Sequence, residues 1–167
     1  YIDKVAVTIA ASKLIPAKVG AGEVELQARA LQFNNYTVLK RAAKRQDYAV
    51  RLWPNARGSQ VALYPNLNVT DDGWRALNRD LRFRRALSLA IDRHESNMVI
   101  YYGLAREGAN TVMAESPLFR PEYRTAWARY DLAEANRLLD EIGLTRRDSR
   151  GVRLMADGRP VEIIVET

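Results

Sequence analysis

From Asp80 to Arg93 the chain reads DLRFRRALSLAIDR, and this stretch limits the possible folds more than any other. Phe83, Ala86, Leu87, Ala90 and Ile91 recur with the 3.6-residue period of an α-helix, and Asp80 stands where a carboxylate can cap its first turn. A helix with one apolar face must bury it against a second element, so these residues predict part of a packed layer rather than an isolated segment. Arg82, Arg84, Arg85 and Arg93 lie in the same stretch, and Arg82, Arg85 and Arg93 fall off the apolar stripe. A helix this basic can grip nucleic acid, lie on an anionic membrane, or hold a larger fold together.

The rest of the chain supplies both periods. Asp92 and Glu95 have capping-box spacing and predict a second helix running to Tyr102, stopped by Gly103. Asp131 and Glu134 repeat the device, with Ala135, Leu138, Leu139 and Ile142 as the buried stripe and Gly143 as the stop, which predicts a helix over 131–142. Val38, Leu39 and Ala42 predict another over 34–45, begun by Asn34 or Asn35. Between these, alternation predicts strands at 5–10, 23–30, 48–53 and 60–64, with PNARG (54–58) as a turn between the last two. Asp157-Gly158 between two extended runs predicts a hairpin. Residues 104–130 have no period and read as an irregular packed loop. The expected fold class is therefore α+β.

Composition narrows the chemistry. The 167 residues contain no cysteine, which removes disulfides, thiolate metal ligands and thiol nucleophiles. A single histidine, His94, and no cysteine argue against a transition-metal site, and no phosphate-cradling glycine loop occurs. Asp71-Asp72 before Gly73 reads as turn chemistry, and Asp140-Glu141 as solvent-facing residues, since neighbours on a helix do not face one another. The net charge of +6 favours an anionic partner, but the cations are interleaved with acids from Lys4 to Arg159. No apolar run approaches the roughly 18 residues of a membrane-spanning helix. The start on Tyr1 and the extended rhythm at Val161–Thr167 suggest a piece of a longer chain.

Taken in order, the motifs carry more than any one of them. DLRFRRALSLAIDR, then YYGLA (101–105), then YDLAEANRLLDEIGL (130–144) after a proline-bearing loop, resembles family 5 extracellular solute-binding proteins, the receptors of peptide and related ABC importers. GEVEL (22–26) is similar to a glycine-glutamate strand of that family, with Glu25 where aspartate is usual, and GVRLMADGRPVEIIVET (151–167) is similar to its hairpin.

The resemblance implies a fragment of a two-lobe, type II periplasmic-binding-protein fold. Residues 1–67 would form the end of the first lobe's sheet and the crossing strand. Residues 68–167 would begin the second lobe, with helices over 80–102 and 131–142 and the hairpin over 151–167. It implies a non-enzymatic receptor, monomeric and without cofactor or metal, which captures a peptide or similar small solute in the periplasm, or on the outer face of the cytoplasmic membrane, and passes it to ABC transporter permease subunits. Gln27, Arg29, Tyr64, Asn66 and Asn68 would face the ligand. Arg82, Arg85 and Arg93 would be fold-holding, paired with carboxylates or backbone carbonyls. Two other readings of the residues stay open: a small basic nucleic-acid-binding domain, and a hydrolase built on His94.

Overall fold

A computed structural model describes residues 1–53 and 58–166. The chain divides into two compact units, Tyr1–Asn55 and Ala56–Thr167.

In the first unit, helix α1 (Ile15–Gly20) packs on α2 (Tyr36–Gln46), which buries Leu39 and Ala42. The Tyr48 hydroxyl donates to the Leu39 carbonyl at 2.9 Å. Asn35 does its capping one turn earlier than expected: its Oδ1 accepts from the Gln32 N–H and closes a 3-10 turn at Phe33–Asn35 that leads into α2. Val38, expected on the buried stripe, is 67% exposed, because the covered arc of α2 runs through Leu39, Ala42 and the half-buried Ala43.

The strands expected at 5–10, 23–30, 48–53 and 60–64 are not present: among the described residues there is no strand, and two isolated antiparallel bridges stand in place of a sheet. Val5, Val7, Ile9 and Leu26 are all well exposed. Alternation makes a segment fit to be a strand, but a strand exists only when a second backbone takes its N–H and C=O groups. The strand half of the α+β expectation is thus not met in the described residues. The turn expected at 54–58 falls, through residues 54–57, outside them.

In the second unit, helices α3 (Asp72–Arg79), α4 (Leu81–Leu89), α5 (Arg93–Tyr101), α6 (Pro121–Thr125) and α7 (Leu132–Glu141) follow in order. Asp80, Asp92 and Asp131 cap α4, α5 and α7, accepting from the N–H groups of Arg82, Glu95 and Glu134 at 2.8, 2.8 and 2.9 Å. The α3 helix corrects the turn expected at Asp71–Gly73. Asp71 accepts from the Trp74 N–H at 2.9 Å, and the same side-chain chemistry that closes a turn here opens a helix. Within the loop expected at 104–130, α6 supplies one short turn of helix.

The core lies between α4 and α7, where Ala86, Leu89, Ala135 and Leu138 interlock with Leu139 beside them. Phe83 is also buried, edge-on to the Trp74 ring. Leu89 joins the buried face, while the expected Leu87 and Ile91 are half-buried and Ala90 is exposed: α4 ends at Leu89, so the period breaks before residues 90 and 91. Each large apolar side chain buried this way contributes about 1.5–3 kcal/mol. The turn at Asp157-Gly158 forms, with Gly158 at φ +88° and the Met155 N–H donating to the Arg159 carbonyl at 2.8 Å, but it carries one bridge, Leu154 to Pro160, rather than a ladder. Arg159 then grips Asp71 through both carboxylate oxygens, at 2.6 and 3.1 Å, tying the turn to the start of α3.

The arginines of the 80–93 stretch are internal fasteners. Arg82 pairs with Asp80 at 2.7 Å and reaches the Glu141 carbonyl at the end of α7. Arg84 donates to the Asn78 carbonyl at 2.7 Å. Arg93 donates to the carbonyls of Ser88, Ile91, Gly108 and Ala128 and to the Ser88 hydroxyl, which itself donates to the Trp127 carbonyl. Arg85 departs from expectation. Its guanidinium lies 4.3 Å from the centre of the Trp127 ring, and its buried Nε has no hydrogen-bond partner. A flat, weakly hydrated cation can stack on an indole instead of pairing with oxygen, and Trp127, held at φ +55°, presents that face.

Candidate functional site

The five residues expected to face a ligand fall in both units. In the first, Gln27 is half-buried and its amide donates to the Arg29 carbonyl at 2.6 Å, folding over the turn in which Arg29 stands exposed. In the second, Asn66 and Asn68 are built into the linker before α3. The Asn66 Oδ1 accepts from the Asn68 N–H at 2.9 Å, and its carbonyl accepts from Asn78 at 2.9 Å. Arg79 holds the Leu67 carbonyl at 2.8 Å and the Asn68 Oδ1 at 3.2 Å, and Arg75 holds the carbonyls of Val69 and Thr70. These bonds give both asparagines a structural task.

Tyr64 stands differently. It is 81% exposed, and its hydroxyl accepts from the Asn110 amide at 3.3 Å. Asn110 belongs to a groove of about 570 Å³ lined by Gly58, Thr111, Val112, Met113 and Ser116 besides itself. Gly58 is what lets the two walls meet. A Cβ there would lie 2.0 Å from the Thr111 carbonyl oxygen, so any larger residue would push the 58–64 segment away from the 110–112 loop. The loop is shaped from below: the Ala109 N–H donates to the Arg124 carbonyl at 2.7 Å, and the Ser116 N–H to the Met113 carbonyl at 3.0 Å.

Among the described residues the lining carries no ionisable side chain. Val112 and Met113 offer apolar contact, while Asn110, Thr111 and Ser116 offer uncharged donors and acceptors. Such a wall can bind by shape, dispersion and hydrogen bonding. Asn110 to Ser116 were not among the expected site residues. The available signal was Gly58, a glycine just before an alternating run, which often marks a close approach of two backbones.

His94 has a different setting. Its Nδ1 lies 3.0 Å from Glu107 Oε1, which also accepts from Asn97 at 3.1 Å. These bonds hold the Glu107 carboxyl below its ordinary range, the Asn97 amide contributing most. Asn97 is buried and clasps Ala105 through both its N–H and its carbonyl, at 3.0 Å each. Among the described residues no serine or threonine hydroxyl bonds to the ring, so His94 braces the 104–108 loop against α5 and lacks the geometry of a hydrolytic triad. No group of three or more histidine, aspartate or glutamate side chains among the described residues is placed to hold a metal ion.

Comparison with known proteins adds three findings. The model of the family described as "Bacterial extracellular solute-binding proteins, family 5 Middle" matches residues 1–167. The chain is 29% identical over 170 aligned positions to a periplasmic alpha-galactoside-binding protein of Rhizobium meliloti (strain 1021), covering 93% of this chain and 24% of that protein. Its fold matches the oligopeptide-binding protein OppA with a TM-score of 0.69 and 36% identity, over 92% of this chain and 25% of the other. The chain thus spans about a quarter of the length of each relative.

Proposed function

Because the chain belongs to the bacterial extracellular solute-binding proteins of family 5, we propose that it forms part of a receptor that captures a peptide or similar small solute and delivers it to an ABC importer. The groove lined by Gly58, Asn110–Met113 and Ser116, with Tyr64 beside it on Asn110, carries this reading. Its described walls are extended or irregular backbone with uncharged polar and apolar side chains, which suits a neutral, extended solute better than a phosphate or a metal. Tyr64 is the ligand-facing residue best supported by geometry. Gln27, Arg29, Asn66 and Asn68 enter as secondary contacts.

In the whole receptor, residues 1–67 would close one lobe's sheet and supply the crossing strand, and 68–167 would begin the other lobe. The alternating segments at 5–10, 23–30, 48–53 and 60–64 would become strands there, completing an α+β type II fold. Solute would favour the closed arrangement of the lobes, and that population shift would be what the permease reads. The receptor would act as a monomer in the periplasm or on the outer face of the cytoplasmic membrane, without chemistry on its solute. The nucleic-acid reading loses its main support, since the arginines at 82, 84 and 93 are spent on carboxylates and carbonyls inside the fold.

Amide chemical shifts of the isotope-labelled chain test this directly. A mixed oligopeptide pool should shift Gly58, Tyr64 and Asn110–Ser116 weakly, because one wall offers only part of a cleft, and an α-galactoside should do less. A galactoside response exceeding the peptide response would move the solute class to sugars. No response at the groove to either, or tight peptide binding by this chain alone, would refute the proposal.

A further inference from the structure

The cations of α2 stand apart from the rest of the molecule. Lys40, Arg41, Lys44 and Arg45 are all exposed, and their spacing places them on the arc of the helix opposite the buried Leu39 and Ala42. Elsewhere the described arginines are mostly engaged: Arg75, Arg82, Arg129, Arg137, Arg150, Arg153 and Arg159 meet carboxylates. On α2, Arg41, Lys44 and Arg45 have no ion pair or hydrogen bond among the described residues, and Lys40 meets only the Tyr36 ring at 5.9 Å. No aspartate or glutamate occurs anywhere between Glu25 and Asp47.

This arrangement costs the helix something. Lys40 with Lys44, and Arg41 with Arg45, are like charges four residues apart, which disfavours a helix. Lys44 and Arg45 gain from the negative end of the helix dipole, but Lys40 and Arg41 stand too far back to share it. Four unneutralised cations on one face point to an anionic partner. The face is lysine-bearing, with Val38 as its exposed large apolar residue, whereas the cores of protein–protein interfaces are rich in aromatic groups and poor in lysine. Its apolar side is already used inside the first unit, so the helix has nothing to insert into a bilayer. Four like charges within about 8 Å along the helix axis fit a plane of phosphate headgroups.

We propose that Lys40, Arg41, Lys44 and Arg45 form an electrostatic docking face by which this protein rests on an anionic phospholipid bilayer. The contact is independent of the solute the groove takes, so the two proposals fail separately.

Flotation of the 167-residue chain with lipid vesicles tests it. Binding should appear with phosphatidylcholine vesicles containing phosphatidylglycerol, be absent with phosphatidylcholine alone, and vanish at high salt. The K40Q/R41Q/K44Q/R45Q variant, in which glutamine preserves helix propensity, should lose about tenfold or more of its partitioning. K4Q/K13Q/R106Q/R120Q removes the same charge from exposed cations elsewhere and should keep most of the binding. Circular dichroism checks that both variants stay folded. Equal loss in the two variants would reduce the effect to net charge and overturn the proposal. So would indifference to phosphatidylglycerol, including the case in which polyglutamate binds α2 while vesicles do not, which would mark an acidic protein as the partner.

Discussion

Arg93 should be the most costly single charge to remove from the second unit. Its guanidinium spans three segments. Nη1 donates to Ser88 at 2.8 Å, Ala128 at 3.1 Å and Ile91 at 3.3 Å, Nε to Gly108 at 3.2 Å, and Nη2 to the Ser88 hydroxyl at 2.8 Å. It is half-buried, and that burial pulls its pKa below the ordinary arginine value, a sign of incomplete hydration. Replacement by alanine leaves four carbonyls without this donor. Water can reach some of them. With two of them left dry, at about 1–2 kcal/mol each, the loss is about 2–4 kcal/mol. For a chain of this size that lowers Tm by about 5–15 °C. Arg93→Lys, with a point-like ammonium in place of the planar fork, should recover about half, because one nitrogen cannot span Gly108 and Ser88 together. Arg93→Met keeps most of the stem and separates packing from hydrogen bonding. Scanning calorimetry of the three variants decides: an Arg93→Met or Arg93→Ala protein melting within about 1 °C of the parent would refute the reasoning.

Two further outcomes follow from the geometry. The stack of Arg85 on Trp127 should show as a coupling of about 0.5–2 kcal/mol in a double-mutant cycle of Arg85→Ala and Trp127→Leu by urea denaturation, and additive effects would remove the stack as a source of stability. Asp71 is held down to about 2, first by its hydrogen bonds to Arg159 and then by the Trp74 N–H, so its contribution is complete above the usual carboxylate pKa of 3.8 and is lost as pH falls toward 2. Asp71→Asn keeps the helix cap but not the ion pair; its urea midpoint should fall less than the parent's between pH 4 and pH 2, and parallel curves would contradict the assignment.

What the sequence determined by itself was local. Asp80, Asp92 and Asp131 cap their helices because a carboxylate and the N–H groups it receives lie two or three residues apart, a distance no tertiary arrangement needs to supply. Gly158 marks its turn for the same reason. The ordered run of motifs also led to the family, since 80–93, 101–105 and 130–144 keep their sequence whatever their surroundings. Tertiary structure decided everything that joins distant positions. Gly58 meets Thr111, Tyr64 meets Asn110, and Asp71 meets Arg159 across 88 residues, and no period in the chain encodes those meetings. Arg85 chose an indole over a carboxylate because Trp127 happened to be brought beside it. The alternation at 5–10 and 23–30 shows the same limit from the other side. It prepares two faces for a strand, but the partner backbone that would make one is a property of the assembled fold, not of the segment.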